Sequence, residues 1–288
     1  MNRREFLRAA AALGVASAAL GEAQAQEQMP PLKKALILGM LPKELSLEER
    51  FRLARRLGFE GVEAYPLGEG KPREEMRAAA EAAGIRIHSI MYGGWGAPLS
   101  SADPKVVQRG QDGVRRALHT AKDLGADAVL LVPAIVNAKT RYADAYKRSQ
   151  ENIRPLVPLA EELKVIIAIE NVWNNFLLSP IEFARYVDEF ESPYVGAYFD
   201  VGNIVKYGWP EDWIRTLGKR IKKVHLKDYS RRAHKFVPLR EGDVNWPEVR
   251  RALAEVGYSG FVTPEVRGGS EEVLRDLSQR VDLIIAGK

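Results

Sequence analysis

Short runs of β-branched and apolar residues alternate with longer amphipathic stretches from residue 35 to the end of the chain. The runs predict strands at Ala35–Met40, Gly61–Tyr65, Ile85–Met91, Ala128–Pro133, Val165–Asn171, Val195–Asp200, Ile221–Asp228 and Phe261–Val266. Apolar residues at helical spacing predict helices between them. The first has Ser46 as N-cap, Glu49 three residues on and Gly58 at its stop, which together are a capping box and a C-terminal glycine signal. Others fit Arg73–Ala83, Pro104–Leu124, Tyr142–Leu163, Pro180–Phe190, Pro210–Leu217, Trp246–Val256 and Glu271–Ile285, several opened by proline in the first turn. Regular strand and helix alternation implies a parallel sheet, and eight strands are the number that closes a (β/α)₈ barrel.

Four of the predicted strands run into a residue able to bind a divalent metal: Glu170, Asp200, His225 and Glu265. Their separations of 30, 25 and 40 residues are near the length of one strand–helix unit, so the four side chains fall at the same end of successive strands. In a closed barrel the carboxyl end of the strands carries the chemistry. Taken singly, Glu170 or Asp200 could equally be a helix cap or an ion-pair partner. Four together would bury several carboxylates with no cation to offset their repulsion. Three carboxylates and an imidazole make a hard, oxygen-rich site suited to Mn²⁺, Mg²⁺ or Co²⁺, with Mn²⁺ the leading candidate.

Two further features shape the picture. The chain opens Asn2-Arg3-Arg4-Glu5-Phe6-Leu7, continues through an Ala-rich apolar stretch to Leu20 and reaches Ala23-Gln24-Ala25. This predicts a twin-arginine export signal over 1–25, cleaved after Ala25, a linker over 26–34 and a barrel domain over 35–288. The expected partner of the precursor is the twin-arginine export machinery, and the expected location is the periplasm. The apolar stretch is shorter than the roughly 20 residues of a stable membrane span, so no permanent anchor is expected. Removing 25 of 288 residues leaves 263, enough for one barrel. The whole chain carries a formal charge of +5, too small for its length to imply nucleic-acid binding. Cysteine is absent, which excludes a disulfide framework and a thiolate metal site.

The segments Ile169-Glu170-Asn171, Phe199-Asp200-Val201-Gly202-Asn203, Val224-His225-Leu226-Lys227-Asp228, Glu241-Gly242-Asp243-Val244-Asn245-Trp246 and Pro264-Glu265-Val266-Arg267 together resemble the xylose isomerase-like TIM barrel family of sugar (phosphate) isomerases and epimerases. The resemblance implies one divalent cation held by Glu170, Asp200, His225 and Glu265, with Glu170 and Glu265 also serving as acid and base. It implies a sugar or keto-sugar substrate and proton abstraction next to its carbonyl. It also implies a substrate-binding role for Arg231, six residues after His225, against which stands a solvated loop arginine. Strand parity points Lys227 into the barrel, where a lysine needs a partner. His88 has the parity of a substrate contact or of a satisfied core histidine. Tyr65 and Trp95 either form an apolar wall against a sugar ring or simply pack.

Departures from the ketose 3-epimerase pattern, with Asn171-Val172-Trp173 after the first glutamate and Asn203 three residues after Asp200, weaken a free ketohexose as substrate. If a β-hydroxyl or glycosidic oxygen leaves from the same site, the enzyme is a dehydratase or lyase of keto-sugars, inososes or 3-keto-glycosides. Another class is a periplasmic sugar-binding protein without turnover, which has no need of paired glutamates around a cation. Endonuclease-like barrels of related form need several zinc ions and many histidines, whereas this chain has four histidines.

Overall fold

The computed structural model describes residues 30–288, so the predicted export signal and most of the predicted linker lie outside the described residues. Eight parallel strands close a barrel: β1 (Lys33–Ile37), β2 (Gly61–Ala64), β3 (Arg86–Gly93), β4 (Ala128–Leu131), β5 (Ile166–Glu170), β6 (Val195–Asp200), β7 (Ile221–Leu226) and β10 (Phe261–Pro264). A separate antiparallel hairpin, β8 (Asp228–Ser230) with β9 (Lys235–Val237), follows β7. The first strand begins at Lys33, two residues before the predicted domain boundary, because Lys33 and Lys34 already pair with Phe261 and Val262 of β10. Leu38–Met40, predicted to continue it, form a 3₁₀ turn.

Most buried apolar residues lie in one large cluster between the barrel and its helices. Inside the barrel the apolar cluster is small, comprising Ala128, Leu130, Ala168 and Tyr198. Polar strand residues fill much of what remains: Glu63, His88, Ser89, Lys223, His225 and Thr263 are all buried. Local signals explain the helices. Ser46 and Glu49 make the predicted reciprocal box, and Asp103, Ser179, Asn245 and Ser270 each accept from a first-turn N–H.

Two departures from expectation have local causes. The segment predicted as one helix from Tyr142 to Leu163 is two, Tyr142–Ile153 and Val157–Leu163, joined by a 3₁₀ turn at Arg154–Leu156. Pro155 and Pro158 lack the N–H groups that a continuous helix would use. A five-residue helix, Val201–Val205, starts directly from Asp200, in a stretch for which no helix is predicted, and gives Asp200 the helix-cap role that was its alternative reading. Its second residue, Gly202, lies against the backbone of Lys227: a Cβ there would sit 2.4 Å from Lys227 Cβ and 2.6 Å from its carbonyl oxygen.

That approach holds the ends of β6 and β7 together, so Gly202→Ala is expected to cost about 1–3 kcal/mol by overpacking. Gly68→Ala, where an added Cβ meets nothing within 4 Å, is the control. Urea midpoints decide between them, and equal midpoints would refute the close-approach argument.

Candidate metal centre

Glu170, Asp200, His225 and Glu265 come together at the carboxyl end of the barrel, each offering a ligand atom within 4.8 Å of the others. Strand register does most of this, since Asp200 pairs with His225 across β6 and β7 and Glu170 with Tyr198 across β5 and β6. Asp200 and His225 are fully buried, while the Glu265 side chain keeps 32% of its surface exposed and marks the open side.

Each ligand is held by a different local device. Asp200 Oδ1 accepts the Asn203 N–H at 2.7 Å, capping the short helix, which turns Oδ2 toward the other ligands. The Asn171 side chain continues the β5–β6 ladder past its end, accepting the Asp200 N–H at 2.9 Å and donating to its carbonyl at 2.8 Å. Asn203 returns the favour by donating to the Asn171 carbonyl at 2.9 Å.

His225 is fixed by a residue that the sequence reading missed. Glu63, wholly buried in β2, places Oε2 2.7 Å from His225 Nε2. With Glu63 as the acceptor, Nε2 is the ring nitrogen that donates. Nδ1 then faces Glu170 Oε1 at 3.0 Å and Glu265 Oε2 at 3.1 Å. A carboxylate behind an imidazole is the usual support of a metal-ligating histidine. Ser89 Oγ in turn donates to Glu63 Oε1 at 2.8 Å. The signal was present as a lone carboxylate in Gly61-Val62-Glu63-Ala64, four residues that are all buried. Nothing local marks its role, because the imidazole it supports lies 162 residues further along the chain.

Lys227 lies just past β7, yet its side chain still points inward. Its ammonium sits 2.6 Å from Glu265 Oε2 and 3.2 Å from Asp200 Oδ2, which supplies the partner a buried lysine requires.

Burial pushes the Glu170 carboxyl up to about 7, with Glu265 adding to the rise and His225 and Lys227 opposing it. Burial also raises Asp200. Burial raises Glu265 too, but His225 and Lys227 outweigh it and pull that carboxyl down to about 2. For His225, burial is overcome by Glu63, Glu170 and Glu265, which hold the imidazole well above its ordinary value. Asp200 Oδ2 and Glu265 Oε2 are buried without a hydrogen bond, leaving Lys227 and, for Glu265, His225 as their charge partners. Oxygen-rich donors with two such oxygens fit a hard divalent cation.

The other predicted contacts divide. Tyr65 and Trp95 stand half-exposed, Tyr65 close enough to feel the charges of Glu63 and Glu265. His88 is not brought to the mouth. It is the unpaired residue where the β2–β3 register shifts between Val62 and Glu63, a bulge that breaks the alternation on which its parity rested. It stacks on Phe261 at 4.5 Å and lies 3.1 Å from Thr263 Oγ1, as an interior packing residue. Arg231 also turns away, donating to the carbonyls of Val205 and Gly208 at 2.9 Å each. Backbone carbonyls left open after the short helix explain this, so Arg231 braces that loop and its guanidinium is already occupied.

A family model described as xylose isomerase-like TIM barrel matches residues 51–282. The chain belongs to this family. Among curated members of similar sequence, the L-ribulose-5-phosphate 3-epimerase UlaE of Escherichia coli O1:K1 is 28% identical over 248 residues, covering 80% of this chain and 86% of that enzyme. D-psicose 3-epimerase from Clostridium cellulolyticum H10 superposes with a TM-score of 0.75 at 18% identity, over 88% of this chain and 98% of that one. The 3-keto-D-glucoside 4-epimerase YcjR of E. coli superposes with a TM-score of 0.74 at 16% identity, over 88% of this chain and 98% of that one. The family's barrel is therefore present here.

Two outcomes are expected of the centre. Glu63→Gln should keep the fold and lower divalent-metal affinity about 10–100-fold, measured by competition with a chelating dye; unchanged affinity would remove Glu63 from the support of His225. Because His225 and Glu170 are both raised, protons compete with metal at neutral pH. Mn²⁺ affinity should climb from pH 5 to pH 8, with about one to two protons released per ion at pH 7, read by titration calorimetry in buffers of differing ionisation enthalpy. A flat affinity over that range would contradict it.

Proposed function

We propose that the protein is a divalent-metal-dependent sugar isomerase or epimerase that works by removing a proton next to a carbonyl. The observation that carries this reading is the convergence of Glu170 and Glu265. They leave strands separated in the barrel by β6 and β7, yet their oxygens lie 3.0 and 3.1 Å from the same nitrogen of His225. Two carboxylates that meet at one point can address one carbon from two directions. Curated relatives that are sugar epimerases support the same reading.

The chain's own residues divide the work. Glu265, partly exposed and drawn toward the ionised form by His225 and Lys227, faces the opening and is placed to accept a proton from substrate carbon. Glu170, whose Oε1 meets the same His225 nitrogen from the β5 side, is placed to return one. Lys227 keeps an ammonium beside Glu265, within reach of a substrate oxygen that gains negative charge. Glu63 holds the His225 ring in one orientation, and Asn171 and Asn203 hold the end of β6. When bound by Glu170, Asp200, His225 and Glu265, a divalent cation, Mn²⁺ foremost, would offset negative charge developing on the substrate's carbonyl oxygen.

The test is mass spectrometry of keto-sugars, inososes and 3-keto-glycosides incubated with Mn²⁺-loaded protein in D₂O. Deuterium should enter substrate carbon without loss of water or aglycone. Glu170→Gln and Glu265→Gln should each slow that incorporation at least about 100-fold while retaining the fold. Loss of water or aglycone would replace the isomerase reading with dehydratase or lyase. Metal binding with no exchange on any substrate would favour a binding protein without turnover.

A further inference from the structure

A cavity of about 660 Å³ adjoins the candidate metal centre at Glu265. Its inner edge is Lys227 and Glu265, and it runs outward between the hairpin β8–β9 and the last helix, Glu271–Ile285. Clefts of roughly 300–1,000 Å³ hold drug-sized ligands, so the space beside the centre is large enough for a further ring. Its walls are mainly apolar: Phe236, Val237, Leu239, Val266, Val273 and Leu277.

The aromatic edge of this groove is built rather than accidental. Phe236 stacks on Trp173 with centroids 4.7 Å apart and planes 21° from parallel, and meets Tyr229 edge-on at 5.5 Å. Phe236 and Trp173 each keep 41% of their surface exposed despite that packing. The Lys227 ammonium lies 5.7 Å from the Phe236 centroid, so Phe236, backed by Trp173, stands beside Lys227 at the inner edge of the groove. Lys206 lies over the Trp173 ring at 4.6 Å, so the exposed part of Phe236 is what the groove offers to the C–H face of a sugar ring or to another aromatic ring.

The charged lining argues against a phosphate in the same place. Arg280 is already paired with Asp276 at 2.6 Å and Glu241 at 2.8 Å. Asp228 is taken up by the N–H groups of Tyr229, Arg240 and Val244 and by the indole of Trp246. Arg267 is the one cation of the lining beyond Lys227 that enters no ion pair among the described residues, and a dianion would meet it across an apolar floor.

We propose that this groove is a second subsite that takes the aglycone or second ring of a glycoside whose first ring lies at the metal centre. The inference rests on the reading of that centre as a keto-sugar site. It makes the substrate a glycoside carrying an apolar or ring-shaped group, in contrast to the pentulose phosphate named for the curated relatives.

The experiment measures binding of phenyl β-D-glucopyranoside and methyl β-D-glucopyranoside to the Mn²⁺-loaded protein by calorimetry. Neither probe has a ketone, so neither needs turnover. The phenyl glycoside should bind about tenfold or more tightly than the methyl glycoside. Phe236→Ala and Val273→Trp should each bring that ratio below about threefold, with metal content confirming that the variants are folded. Equal affinities in the unaltered protein, or a ratio that survives both substitutions, would overturn the subsite. So would tighter binding of glucose 6-phosphate than of methyl glucoside that is lost in Arg267→Ala, which would mark the groove as a phosphate cleft. Failure of the D₂O exchange with the phenyl preference intact would remove the isomerase reading and leave the subsite. Exchange without the preference would do the reverse.

Discussion

Four carboxylates, Glu63, Glu170, Asp200 and Glu265, share one barrel mouth with His225 and Lys227. Like charges 4 Å apart repel by about 4 kcal/mol at the effective dielectric typical of protein sites. A single hydrogen bond to a charged group returns only about 1.5–3 kcal/mol. Hydrogen bonds alone therefore do not offset that repulsion: the Lys227 ammonium and the His225 imidazole face the carboxylates, and burial drives Glu170 toward its neutral form. Much of the local architecture follows from that repulsion. The short helix after β6 takes one oxygen of Asp200, Ser89 takes one of Glu63 and Lys227 is drawn inward past the end of its strand. Part of the polar interior serves the mouth directly, since Ser89 donates to Glu63 behind His225.

Much of the barrel was legible because its determinants are local. Periodicity, proline at helix starts and the Ser46 box are written within a few residues of where they act, and the structure reproduces the eight strands within a few residues at their ends. The four ligands were legible for a related reason: once strands are parallel and regularly spaced, their ends lie together. The exceptions arise where one residue changes a count. At β3 the register shift reverses the facing of everything beyond it, so that His88 packs inside on Phe261 and Ser89 reaches Glu63. Parity cannot anticipate a bulge. Nor can it show that the Arg231 guanidinium is claimed by the Val205 and Gly208 carbonyls, because those carbonyls are left open only by a helix five residues long. Glu63 depends on a partner 162 positions away, a distance over which a single sequence carries no local signal.

The two sides of the mouth are built by different means. On the β5–β6 side, side-chain amides extend the sheet itself: Asn171 and Asn203 exchange bonds with backbone groups across the strand ends. That side is as rigid as the barrel. On the β7–β10 side the chain leaves the sheet at Leu226, folds back as a hairpin and returns only at Phe261. Its aromatic and aliphatic side chains, rather than backbone pairing, define the space beside Glu265.

This second side is secured chiefly through Asp228. Its two carboxylate oxygens gather N–H groups from Tyr229, Arg240, Val244 and Trp246, and Gly242 passes so close that a Cβ would lie 2.1 Å from Oδ1. One residue therefore ties both ends of an excursion some fifteen residues long to the rim of the barrel. The tip, from Arg231 to Phe236, is largely exposed. Such a loop is anchored at its base and open at its tip: residues between Arg231 and Phe236 can be exchanged or inserted while the anchor, the strands and the four candidate ligands stay as they are. Selection can then retune what the enzyme accepts without reopening the question of whether it folds.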